Sequence, residues 1–330
     1  MHSFDVLRAS TVKDALHEFR QAPHAKFVAG GTNLVDLMKE GVENPKTLID
    51  INRIDELRRF EFRDDGSIYL GALVSNSDIA WHEEIARRLP MVSEAILAGA
   101  TTQLRNMATV GGNLLQKNRC FYYPELHARC NKRDPGAGCD AIDGVHRMCA
   151  VLGTSDACIA AHPSDLCVPL RALDAVVHTQ SVEGFRSIDL RDFYKLPGET
   201  PDIEFELQPG ELIVGVEIPA SPIARRSTYL KLRDRTSYAF ALVSVAAALE
   251  VDGGRIRDVR LALGGVGTVP WREEKAEAAM RGEPATAATF AQAGELVFGG
   301  AVSRPGNGFK VELAKRAIVR VLTALSEQAP

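Results

Sequence analysis

Six cysteines, Cys120, Cys130, Cys139, Cys149, Cys158 and Cys167, all fall between positions 120 and 167 of a 330-residue chain, and none lies elsewhere. Residues of this type at this density can pair as disulfides or bind a soft metal. The N-terminus, MHSFDVLRAS, has no basic segment leading into an apolar one, so no secretory signal is expected and disulfides are disfavoured. A local cysteine cluster in a protein made in the cytosol then points to a metal.

Two glycine pairs are the second chemical feature. VAGGTNL (28–34) and ATVGGNL (108–114) each place two glycines before a helical stretch. Glycine permits positive φ and a close backbone approach, and successive N–H groups at such a turn form an anion nest. A pyrophosphate bridging both loops would satisfy those donors. The plainer alternative is a pair of tight turns without a ligand. Neither loop has the G-x-G-x-x-G spacing, which disfavours a Rossmann nucleotide site.

The elements that must position these residues follow from periodicity. TVKDALHEFRQ (11–21) has Thr11 and Asp14 in capping positions and apolar residues at helical spacing. KFVA (26–29) and TLIDI (47–51) read as strands, with the helix LVDLMKEG between them. SIYLGALV (67–74) predicts another strand, followed by helices from Asn76 and over about 88–98. From about 117 to 160 periodicity fails, and so long an irregular stretch is either functional or disordered; its cysteines favour order imposed by a metal. Residues 166–178 return to a helix and strand, 183–193 read as a hairpin edge, and ELIVGVEIP as a strand ended by Pro219. Beyond a boundary near 220, strands YLKLR and DVRLALGGVG flank an expected helix at ALVSVAAALEV, with further helices near 286–298 and 309–327.

Composition is that of a globular protein, with 45% hydrophobic and 25% charged residues. A net charge of −4 gives no electrostatic case for nucleic acid. No apolar run reaches the ~18 residues a membrane helix needs. The chain is expected in the cytoplasm, or exported only with a signal-bearing partner.

VAGGTNLVDLMK, ATVGGNLL, HPSDL and YLKLRDRTSYAFALVSVAAAL, in this order, resemble the flavin-binding medium subunits of the xanthine dehydrogenase and carbon monoxide dehydrogenase family, over essentially the whole chain. The resemblance implies an α+β fold: a two-subdomain FAD-binding domain of the vanillyl-alcohol-oxidase-like kind over 1–220 (about 1–55 and 56–220), then a C-terminal CO dehydrogenase flavoprotein-like domain over 221–330. It implies that FAD is held by Phe27, Val28, Ala29, Gly30, Gly31, Thr32, Asn33 and Leu34 around its diphosphate, and by Thr109, Gly111, Gly112 and Asn113 of the second loop. By the same resemblance Asp165 bonds the ribityl or flavin region, Ile213 lies against the ring, and Lys231 is near it. Without the resemblance, Asp165 reads as a helix cap, Ile213 as core and Lys231 as a solvated edge lysine.

One departure from the usual pattern is the cysteine-bearing insertion between Asn113 and Asp165. RCFYYPELHARCNKRDPGAGC and GTSDACIAAHPSD are similar to the subgroup of bacterial periplasmic-type aldehyde oxidoreductase flavin subunits, which carry a [4Fe–4S] cluster; the insertion of 4-hydroxybenzoyl-CoA reductase is less similar. Such a cluster takes four thiolates. Cys120, Cys130 and Cys139 lie in irregular Gly- and Pro-containing chain, and Cys158 closes the insertion, so these four are the expected ligands. Cys149, in apolar RMCAVLG, is the rival to Cys158, and Cys167 belongs to the returning helix. Zinc is disfavoured because eight or nine residues separate neighbouring cysteines, without the short pairs of structural zinc sites. Arg119, Arg129, Lys132, Arg133 and Arg147 supply cations near an anionic cluster, or a solvated loop.

The function implied is electron transfer. A separate molybdenum-cofactor subunit would oxidise an aldehyde or N-heterocycle, a [2Fe–2S] subunit would relay electrons, and FAD on this chain would pass them to an external acceptor. No catalytic side chain is expected, because the cofactor carries the chemistry. The alternatives are a self-sufficient flavin oxidase and a metal-stabilised interaction protein without redox function.

Overall fold

A computed structural model describes residues 1–327. The first 50 residues build a small parallel sheet from β1 (Asp5–Arg8), β2 (Ala25–Val28) and β3 (Thr47–Asp50), in the order β1-β3-β2. The helix Val12–Gln21 starts where expected, with the Thr11 hydroxyl accepting from the Asp14 N–H at 3.0 Å. Its buried Val12, Ala15 and Leu16 pack with Ile49 and Ile51. The first Gly-Gly turn therefore stands at the carboxyl end of β2, where open parallel sheets bind ligands.

A five-stranded antiparallel sheet follows: β4 (Phe60–Phe62), β5 (Ile68–Gly71), β6 (Val176–Ser181), β7 (Gly184–Asp189) and β8 (Leu212–Ile218), in the order β4-β5-β8-β6-β7. Helices Pro90–Ala98 and Cys167–Ala172 share its core. The C-terminal unit is a three-stranded antiparallel sheet of β9 (Ser227–Leu232), β10 (Val243–Asp252) and β11 (Arg255–Gly264), with β10 central. Helices Glu274–Met280, Ala287–Val297 and Phe309–Ser326 close its outer face.

The expected helix at ALVSVAAALEV is instead the central strand β10. Val243, Val245, Ala247 and Leu249 face the C-terminal helices, while Ala246 and Ala248 face the core of the large sheet. A strand buried on both faces shows no polar alternation, so period 2 is invisible, and alanine's helix preference yields to tertiary packing. The remaining expected strands and helices appear within a few residues of their places, together with short elements such as β1 and β4 that periodicity did not reveal.

Between Leu115 and Leu166 no helix or strand forms, but the chain is tightly bonded to itself. Cys130 and Cys139 face each other in an antiparallel bridge, Arg129 and Asp140 are paired, and the Arg133 guanidinium donates to the carbonyls of Tyr122 (2.9 Å) and Tyr123 (2.6 Å). The far end is fastened to the C-terminal unit: Asn307 donates to the Ala150 carbonyl (3.0 Å) and buried Lys310 to the carbonyls of Cys149 (2.9 Å) and Gly265 (2.7 Å). Among the described residues no helix is long and apolar enough to cross a membrane.

Candidate functional site

The two Gly-Gly loops pack on each other. A Cβ on Gly30 would lie 1.7 Å from the Met107 carbonyl oxygen, so only glycine allows this approach. Gly31 has φ +70, the left-handed region, and Gly111 lies against Ala72. In the second loop the Thr109 hydroxyl accepts from the Gly112 N–H at 3.3 Å and caps the short helix Val110–Leu114.

Two cavities open around these loops. The smaller, about 160 Å³, is lined by all of Phe27 to Leu34, by Thr109, Gly111 and Gly112, and by Ile213. The larger, about 490 Å³, has Asn113, Asp165 and Lys231 in its wall. Thr32, Asn33 and Gly112 line both, so the cavities meet at the glycine loops. Every position named above for FAD thus borders one of two adjoining spaces. Ile213 and Lys231, both assigned to the ring by resemblance, border different ones.

The larger cavity lies in the size range of small-molecule sites, and its wall is short of hydrogen-bond partners. Asn33 Nδ2, Asn76 Oδ1, Arg105 Nε and Arg119 Nε are buried there without a partner among the described residues. Native proteins leave few such atoms unmet, and these four belong to residues around one cavity. Asn76, Arg105 and Arg119 were not foreseen as cavity residues, and nothing in their local sequence singles them out.

Asp165 and Lys231 are neither helix cap nor solvated lysine. Ser164 Oγ, not Asp165, accepts from the Cys167 N–H (3.2 Å) at the start of the following helix. Asp165 instead accepts from the Tyr229 hydroxyl at 2.6 Å and from Lys231 Nζ at 2.7 Å, and the lysine side chain is 4% exposed. Tyr229 and Lys231 are two residues apart on β9 and so share a face; that spacing was the available signal for Tyr229. Burial, then the Asp165 carboxylate, raises the Tyr229 hydroxyl pKa, so it stays a donor. Removing one member of a buried pair strands the other. Lys231→Met is expected to destabilise the chain by about 3 kcal/mol, read as a lower urea midpoint with unchanged slope.

Cys120, Cys130, Cys139 and Cys158 line a single small pocket with Asn118, Tyr122 and Lys132. The donor set fits an iron–sulfur cluster in number and kind. The four thiols do not converge on one point: among the described residues no set of three or more His, Cys, Asp or Glu is arranged to hold a metal ion. Cys149 lies outside this pocket and packs against Cys120 in a small apolar cluster, and the interaction of the two thiols raises Cys120 and lowers Cys149. Burial pushes the Cys158 thiol up to about 11. Cys167 stands apart, its sulfur 3.0 Å from the Tyr194 hydroxyl in the core of the large sheet.

Of the cations in the insertion, Lys132 is a largely covered one at the pocket, its side chain 12% exposed. It pairs with Glu204 at 2.9 Å, and Glu204 also pairs with Lys117. The two lysines hold the Glu204 carboxyl below its usual range against the opposing cost of burial. Arg133 bonds backbone carbonyls, Arg129 and Arg147 are exposed and paired with Asp140 and Asp234, and Arg119 faces the large cavity.

Comparison with known proteins fits this architecture. The family model of the FAD binding domain in molybdopterin dehydrogenase matches residues 2–221, and that of the CO dehydrogenase flavoprotein C-terminal domain matches residues 227–325. The chain is 49% identical over 330 residues to the aldehyde oxidoreductase FAD-binding subunit PaoB of Escherichia coli K12, covering 100% of both chains. It is 27% identical to the glyceraldehyde dehydrogenase medium chain of Sulfolobus acidocaldarius, covering 83% of this chain and 79% of that one. Its fold resembles that of quinoline 2-oxidoreductase from Pseudomonas putida 86, with a TM-score of 0.76, 22% identity and 99% and 98% of the two chains covered. With two family models spanning nearly all of it and a full-length relative at this identity, the chain belongs to the FAD-binding medium subunits of the molybdenum hydroxylase family.

Proposed function

We propose that this chain is the electron-transfer subunit of a molybdenum-dependent aldehyde oxidoreductase, holding FAD and one [4Fe–4S] cluster. The observation that carries the reading is the pair of cavities meeting at Thr32, Asn33 and Gly112, with four unpaired polar atoms in the wall of the larger. FAD lies across both, its diphosphate at the loop amides where they meet, with Phe27 to Leu34, Thr109, Gly111, Gly112 and Ile213 on one side and Asn113, Asp165 and Lys231 on the other. Bound flavin supplies the exchange of electrons with an external acceptor. The chain's own work is to hold it: glycines admit the backbone, and the Tyr229–Asp165–Lys231 set keeps a fixed polar wall.

Cys120, Cys130, Cys139 and Cys158 are the proposed cluster ligands, supported by their common pocket and the largely covered Lys132 beside it. Aldehyde as substrate rests on the 49% identical relative. The oxidising centre then belongs to a molybdenum-cofactor subunit, joined by a [2Fe–2S] subunit.

The purified chain alone is accordingly expected to show no aldehyde-dependent reduction of a dye acceptor, at least about 10³-fold below the assembled complex, since a missing catalytic centre costs that much or more. Adding the two partner subunits restores turnover. Molybdenum-free turnover by the isolated chain would support a self-sufficient oxidase instead.

A further inference from the structure

Arg119 lies where the two proposed cofactor sites come closest. It lines the large cavity, and it also lines a small second cavity whose other wall includes Cys120 and Cys149. Met148, Pro163, Asp165 and Phe240 border both spaces as well, so the partition between them is about one side chain thick.

The electrostatics of the wall single this residue out. Asp165 is neutralised by Lys231, and Asp234 by Arg147. Arg105 also has an unmet Nε, but both its terminal nitrogens are taken, by the Gly99 carbonyl (2.8 Å) and the Thr102 hydroxyl (3.3 Å), and Arg235 bonds the Tyr238 carbonyl. Arg119 forms no ion pair among the described residues, and the Asp36 carboxylate of the same wall acts on it only from beyond pairing distance. Its Nε is buried and unmet, and its guanidinium stacks on the Phe240 ring at 5.0 Å. A flat, always-charged fork held by stacking with donors to spare is suited to acceptor atoms of a planar anionic or electron-rich ligand.

We infer that Arg119 contacts the flavin and raises its reduction potential, and that its peptide neighbour Cys120 ties this contact to the iron–sulfur site. The inference rests on the reading given under Proposed function. A fixed cation stabilises the negative charge that reduction adds, so its loss makes the flavin harder to reduce. Arg119 is a binding and tuning residue, and no proton or bond passes through it.

The test compares the full-length wild-type protein with Arg119→Met and Arg119→Lys. FAD affinity is measured by fluorescence, flavin midpoint potential by spectroelectrochemistry, and iron per chain by metal analysis. Arg119→Met is expected to keep its iron, to bind FAD about tenfold more weakly or worse, as for a lost charged hydrogen bond, and to show a lower flavin potential. Arg119→Lys is expected to recover most of the potential but not the affinity, because a point charge cannot reproduce the fork. A methionine variant with wild-type affinity and potential overturns the inference. If that variant does not fold, unchanged FAD affinity in Arg119→Lys overturns it equally. Wild-type protein that takes up no FAD overturns the inference together with the reading beneath it, whereas FAD bound normally and indifferent to Arg119 overturns the inference alone.

Discussion

Serine at Cys120, Cys130, Cys139 or Cys158 is expected to abolish the iron–sulfur signal, with iron falling from about four atoms per chain to near zero in each variant. A hydroxyl is a poor ligand for iron where a thiolate is a good one. The loss should reach the fold, because residues 117–160 contain no helix or strand, and up to Cys149 their apolar packing is confined to small clusters around Cys130 and around Cys149, with Val151 and Leu152 alone reaching the C-terminal core. A metal group there contributes folding energy, so these variants should be cut by protease within the insertion and lose solubility. Cys167→Ser is expected to keep its iron and to cost about 1 kcal/mol, since its sulfur meets Tyr194 in a different core. Cys149→Ser is the sharper control. Its sulfur touches Cys120 but lies outside the four-cysteine pocket, so iron should be retained. Iron analysis and low-temperature EPR of the reduced proteins decide this, and a cluster that survives Cys158→Ser but vanishes in Cys149→Ser would exchange those two assignments.

The second large effect falls on flavin and leaves iron alone. Gly31→Val places a β-branched residue at φ +70, where a side chain costs about 1–2 kcal/mol before any contact is counted, and its Cβ would stand 3.0 Å from Val35. The loop must move, and the amides offered to the diphosphate move with it. The purified variant is expected to lack FAD while keeping its iron. Gly30→Val should do the same and also lower stability, because its Cβ would overlap the Met107 carbonyl and force the two loops apart. Full FAD occupancy in Gly31→Val would remove that loop from the site.

Much of this site was legible in the sequence, for physical reasons. Gly30-Gly31 and Gly111-Gly112 stand out because a close backbone approach excludes other residues, and the structure packs the two loops together. The insertion stands out because cysteines replace periodicity, and its irregular backbone was the expected one. The strand β10 was not legible: the run from Val245 to Leu249 is apolar on both faces, and alanine there reports close sheet packing, not helix propensity. Partnerships across the fold were also hidden. Asp165 reads locally as a cap, and only the return of β9 brings Tyr229 and Lys231 onto it. Glu204, from a Pro- and Gly-rich crossing segment, gives no sign that Lys117 and Lys132 will close around it.

The most direct test of the central claim is a cofactor inventory of the full-length protein purified without oxygen: FAD, iron, labile sulfide and zinc per chain, with the visible spectrum. About one FAD and about four iron and four sulfide per chain are expected, with negligible zinc. Protein with FAD and stoichiometric zinc but no iron would contradict the cluster, and protein that binds no FAD would contradict the account as a whole.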